Sequence, residues 1–98
     1  MKSVLVSLVL VVCLAGCAES GLVGADLFGQ RCASCHGAEG AGGIGPAIDG
    51  SSAAVDLVDD QLEGVIRVGP GSMPSFDTLT DEQIQSLVDH IRVLQSGP

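Results

Sequence analysis

Cys32-Ala33-Ser34-Cys35-His36 is the stretch from which the rest of this chain is read. Two thiols stand three positions apart, and an imidazole follows the second at once. C-x-x-C-H is the spacing at which a haem is attached covalently. Two cysteines about one helical turn apart can each add to one vinyl group of a single porphyrin. His36 then offers its ring to the iron from one face. The opposite face calls for a second ligand. The best placed is Met73, in Gly71-Ser72-Met73-Pro74.

Other uses of the cysteine pair fit less well. A thioredoxin-like redox pair expects a βαβ setting, and no convincing strand pattern is present. A zinc site needs four ligands. Beyond Cys32, Cys35 and His36 the only other histidine is His90, and Cys13 and Cys17 lie in an N-terminal segment that reads as an export signal. One haem, held by Cys32 and Cys35, is the expected cofactor.

The chain has 98 residues, enough for one small domain. It contains no Trp, no Tyr and two Phe, so its own core would be thin. Domains of this size commonly rely on a staple, and a covalently held haem supplies one together with a large flat apolar surface. The formal net charge is −8. That balance opposes nucleic-acid binding, which wants basic patches. It favours basic or charge-patterned redox partners, donor and acceptor, met by electrostatic steering. Acidity also simply keeps an exported protein in solution, and the composition does not separate the two.

Residues 4–15 form an almost wholly apolar run, the length of a signal-peptide core and too short to span a bilayer. The run ends Leu14-Ala15-Gly16-Cys17, which resembles the bacterial lipobox. Residues 1–16 are therefore expected to be a signal cleaved before Cys17. Cys17 would be lipidated, and residues 17–23 would form a short linker to a domain over residues 24–96. The lipid would tether a monomer to a membrane, outside the cytoplasm, without a transmembrane helix. Ordinary cleavage after Ala18 would instead release a soluble protein. Loss of residues 1–16 removes Lys2, leaving three arginines against twelve acids, a net of −9.

Helical signals dominate the domain. Residues 22–31 read as a first helix running into Cys35 and His36, with Asp26 near its start. Gly24 is expected at the helix end or at a close contact, since an interior glycine costs about 1 kcal/mol. Residues 37–50 are a glycine-rich loop that carries Ile44, Pro46 and Ile48, and it is expected to lie against the haem edge. An axial histidine commonly donates its second ring N–H to a carbonyl, and Pro46 is the proposed acceptor for His36. Residues 59–67 read as a second helix, with Leu62, Val65 and Ile66 on one face. Gly69 terminates it. Gly64 within it points to close approach of the haem or of another helix. Residues 80–95 give the clearest helix. Thr80 and Gln83 form a capping box, Leu79 and Ile84 a hydrophobic staple, and Ile84, Leu87, Val88, Ile91 and Leu94 one apolar stripe.

Methionine is often core filler. Met73, however, sits on a Gly/Pro loop, and Pro74 forces it towards extended backbone. Phe76 can pack beside it as a wall of the pocket. His90, on the last helix, competes as a ligand but lies further along the chain.

Taken together, these segments resemble the small class I c-type cytochromes of the bacterial mono-haem kind. The likeness covers residues 24–94. It rests on Phe28, on Cys32 to His36 with Gly37, on Gly45-Pro46-Ala47-Ile48, on Gly71-Ser72-Met73-Pro74-Ser75-Phe76 and on Leu79-Thr80-Asp81-Glu82-Gln83-Ile84. It implies an all-α fold, with three main helices and Gly-rich loops around one covalent haem c. The first and last helices should cross near Gly24 and Phe28, where the family often has an aromatic and this chain has His90. The family often holds the haem propionates with Trp, Tyr or Arg. Trp and Tyr are absent, which leaves Arg67, equally readable as a surface arginine. The resemblance implies a one-electron carrier rather than an enzyme, in a respiratory or photosynthetic chain. A haem-based sensor with a displaceable Met73, or a dedicated subunit of a larger redox enzyme, are the alternatives.

Overall fold

Apolar residues recurring at three- and four-residue intervals build four helices around one core. The computed structural model describes residues 21–97. The expected signal, Cys13 and Cys17 lie outside the described residues. Helices α1 (Gly24–Arg31), α2 (Ala33–His36), α3 (Asp59–Val68) and α4 (Asp81–Ser96) follow in order, with a 3-10 turn at Ala53–Asp56 before α3. Among the described residues no strand forms, and the fold is all-α.

Helix α4 is the floor. Its start is fixed by a reciprocal cap: Gln83 N–H donates to Thr80 Oγ1 at 3.1 Å, and Thr80 N–H donates to Gln83 Oε1 at 3.0 Å. Its stripe of Ile84, Leu87, Val88 and Ile91 is buried, against Leu27 and Phe28 of α1 and Leu62 and Ile66 of α3. Two hydrogen bonds fasten the start of α1 to the same helix. Gly24 N–H donates to Ser86 Oγ at 2.9 Å, and Gln83 Nε2 donates to the Leu22 carbonyl at 3.0 Å. Gly24 thus opens α1, the terminal position expected of it.

Three details depart from the sequence pattern. The first helix does not run continuously into the cysteine motif. Cys32, at φ −123° and ψ −31°, ends α1, and α2 is a separate turn. Val65 is 36% exposed although Leu62 and Ile66 are buried. At 100° per residue it falls on the edge of their stripe, not its centre. Gly64 meets no protein atom within 4 Å of a built Cβ, so no helix closes on it.

Helix α3 is held at both ends. Val58 has no polar side chain, so its N–H is satisfied from within the helix by Gln61 Oε1, at 2.9 Å. Gly69 closes the other end in the left-handed region, φ 68° and ψ 69°, and donates to the Val65 carbonyl at 2.9 Å. A Cβ there would lie 2.5 Å from the Pro74 carbonyl atoms, so both conformation and space require glycine. Arg92 of α4 clamps the entry to α3. Its Nε donates to Asp59 Oδ1 at 3.0 Å, its Nη1 to Gln95 Oε1 at 2.7 Å, and its Nη2 to the Leu57 carbonyl.

Candidate functional site

The paired thiols come first. Cys32 caps α1 and Cys35 lies in α2; both are half-buried and neither forms a disulfide. Burial pushes the Cys32 thiol up to about 11, with the Arg31 charge opposing the rise. A thiol held protonated is a weak nucleophile and a weak metal ligand. A thioether carries no charge and suits the same surroundings. Among the described residues no cluster of three or more His, Cys, Asp or Glu side chains is placed to hold a bare metal ion. The lack of such a cluster among the described residues counts against the zinc reading.

The imidazole follows on the same turn. His36 Nδ1 lies 2.8 Å from the Pro46 carbonyl. A carbonyl only accepts, so Nδ1 carries the proton and Nε2 is the nitrogen left to ligate a metal. The loop of residues 37–50 is folded back to make this contact. Gly42 N–H donates to the His36 carbonyl at 2.7 Å and Gly45 N–H to the Cys35 carbonyl at 2.8 Å. A Cβ on Gly45 would sit 3.2 Å from His36 Cε1 and 3.3 Å from Nδ1, so the backbone passes close against that part of the ring. Ile48 packs at the edge of the core, its N–H on the Gly40 carbonyl at 2.8 Å.

The segment carrying Met73 is anchored differently. Met73 is half-buried against the core, and its N–H donates to the Pro70 carbonyl at 3.1 Å. Ser75 Oγ donates to the Arg67 carbonyl at 2.7 Å, and Phe76 N–H to the Ile66 carbonyl at 3.1 Å. The segment is therefore zipped to the last turn of α3. Phe76 is buried in the core, with the Arg31 guanidinium carbon 5.2 Å from its ring centroid.

Two other expected residues have different partners. Arg67 Nη2 lies 2.8 Å from Asp81 Oδ1 in an exposed ion pair at the head of α4. The His90 ring lies 5.0 Å from that of Phe28, tilted by 56°, at the α1–α4 crossing. Its place is that of a packing aromatic. Arg31 and Arg92 are the residues that sequence reasoning passed over. Arg31 meets Phe76 forty-five positions away, and Arg92 meets Leu57 and Asp59, contacts that no periodicity announces.

The donor set fits a covalently held haem. Two thiols precede an imidazole whose Nδ1 is held by the Pro46 carbonyl, and a thioether sits on a loop bonded to α3. Apolar surface on α3 is left uncovered at Val65 and Val68, 36% and 70% exposed. Among the described residues no helix is long and apolar enough to cross a membrane.

Residues 20–91 match the family described as cytochrome C oxidase, cbb3-type, subunit III. The chain is 41% identical over 71 residues to cytochrome c55X of Stutzerimonas stutzeri, an alignment covering 70% of this chain and 61% of that protein. It is 32% identical over 81 residues to cytochrome c6 of Euglena viridis, covering 76% of this chain and 93% of that protein. The chain thus spans about three fifths of the first relative's length and nearly all of the second's. It belongs to the small c-type cytochromes, the proteins in which haem c is covalently bound.

Proposed function

We propose that this chain is a one-electron carrier working outside the cytoplasm, tethered to a membrane through lipid on Cys17. In this view residues 1–16 are a cleaved signal and residues 24–96 the haem domain. Cys32 and Cys35 would hold the haem through thioethers, and His36 and Met73 would ligate its iron. The observation that carries the assignment is the His36 ring, fixed by the Pro46 carbonyl at 2.8 Å so that Nε2 is the nitrogen left for iron.

The bound haem supplies a one-electron couple at its iron. The chain's residues set its terms. A neutral thioether from Met73 favours the ferrous state. Two protein ligands leave no open position for a substrate, which is why a carrier is preferred to an enzyme. The backbone bonds at Gly45 and at Phe76 hold both ligand segments in place, so the protein has little to rearrange when charge changes. The acidic surface, net −8 over the chain, suits redox partners with a basic docking face.

Replacing Met73 with Ala tests the ligand set. Loss of the Met-to-ferric-iron charge-transfer band, a lower potential and new carbon monoxide binding are expected. An unchanged spectrum would remove Met73 from the iron. Mass spectrometry of the mature N-terminus tests the tether: a diacylglycerol mass on Cys17 supports it, and a plain N-terminus at another residue refutes it. A dedicated subunit of a larger redox enzyme is the second reading, favoured by the description of the matching family as an oxidase subunit. Purification from native membranes separates the two. Elution at the mass of one chain supports the carrier, and stoichiometric co-elution with an oxidase supports the subunit.

A further inference from the structure

Three arginines lie within the described residues, and two have carboxylate partners. Arg67 pairs with Asp81 and Arg92 with Asp59. Arg31 has no such partner. Its guanidinium carbon lies instead 5.2 Å from the centroid of the Phe76 ring. The two residues belong to the two halves of the haem site. Arg31 is the last residue of α1, immediately before Cys32. Phe76 is three positions after Met73. No backbone hydrogen bond between the described residues joins the Cys32–His36 segment to the Met73–Phe76 segment. Phe76 is 6% exposed, and a cation over a ring face is attracted by its quadrupole.

We propose that Arg31 is a positioning residue that clasps the Met73 loop to the cysteine-bearing turn. It acts through Phe76 and keeps the thioether at the iron. This rests on the assignment of Met73 as axial ligand. The guanidinium is suited to the task, being planar, permanently charged and able to lie flat on a ring while remaining hydrated at its edge. Lysine would keep the charge but lose the flat contact. Glutamine would lose both.

The experiment uses the full chain with its covalent haem, in parent, Arg31→Lys and Arg31→Gln forms. Imidazole is titrated into the ferric protein, and displacement of Met73 is followed through the charge-transfer band. An exposed cation–ring contact predicts that Arg31→Gln is half-displaced at about two- to fivefold lower imidazole, with Arg31→Lys between it and the parent. Equal midpoints for parent and Arg31→Gln would overturn the clasp. A double-mutant cycle between Arg31→Gln and Phe76→Leu, read by urea unfolding, measures the contact without the iron. Coupling between the two changes supports the clasp; strict additivity overturns it. Were the parent to lack the band, Met73 would be lost as ligand, while the unfolding cycle would still decide whether Arg31 and Phe76 hold the two segments together.

Discussion

The two sides of the haem site are built on different principles. The His36 side is local. Cys35, His36, Gly42, Gly45 and Pro46 lie within a dozen positions and bind one another through short backbone bonds and a single ring contact. The Met73 side is assembled from afar. It hangs from the end of α3 by Ser75 and Phe76, and it meets α1 through the buried core around Phe76 and through Arg31. A closely bonded loop resists opening because several bonds must break together. A segment held by separate long-range contacts opens as each one yields. Of the two proposed ligands, Met73 should therefore be the one that leaves first.

Four substitutions test that contrast. Phe28→Ala removes the buried ring at the α1–α4 crossing and should cost about 3–5 kcal/mol in urea unfolding of the haem-loaded protein. A loss below about 1 kcal/mol would mean that the haem, and not this crossing, supports the site. Gly69→Ala forces a left-handed residue and drives a Cβ onto Pro74. It should cost about 1–3 kcal/mol and weaken the Met73 charge-transfer band, while the His36 ring signals in NMR stay in place. Gly45→Ala should do the reverse. The ring must give by a few tenths of an ångström, at about 1 kcal/mol, so that His36 resonances shift and the Met73 band survives. If both glycine variants disturb both ligands alike, the two sides are not independent. Arg67→Ala should have the smallest effect, under about 1 kcal/mol with an unchanged band, because its ion pair with Asp81 is exposed. A clear fall in potential in that variant would return Arg67 to the haem propionates.

What could be read from the sequence follows the same division. The capping box, the α4 stripe and the His36–Pro46 contact rest on neighbours in the chain, and each is visible as spacing. The crossing of α1 with α4 near Gly24 and Phe28 comes from the family resemblance and not from spacing within the chain. The break at Cys32 is not legible, because nothing in Arg31-Cys32-Ala33 is a helix stop. The Arg92 clamp is also invisible, since its partners lie thirty-odd positions back and one of them is a backbone carbonyl. Arg67, named for the propionates only through the family resemblance, pairs with Asp81 at the head of the next helix, a contact that spacing does not announce.

The fastening of α1 to α4 bears on how the molecule carries a load. The Leu22 carbonyl and the Gly24 amide are held by Gln83 and Ser86, 61 and 62 positions away. A pull applied at the N-terminal end of the described chain meets these two bonds before it meets Cys32. They brace the entry of α1 against the capped first turns of α4. Tension from that direction is therefore passed first into α4, before it reaches Cys32 and the residues proposed to hold the haem.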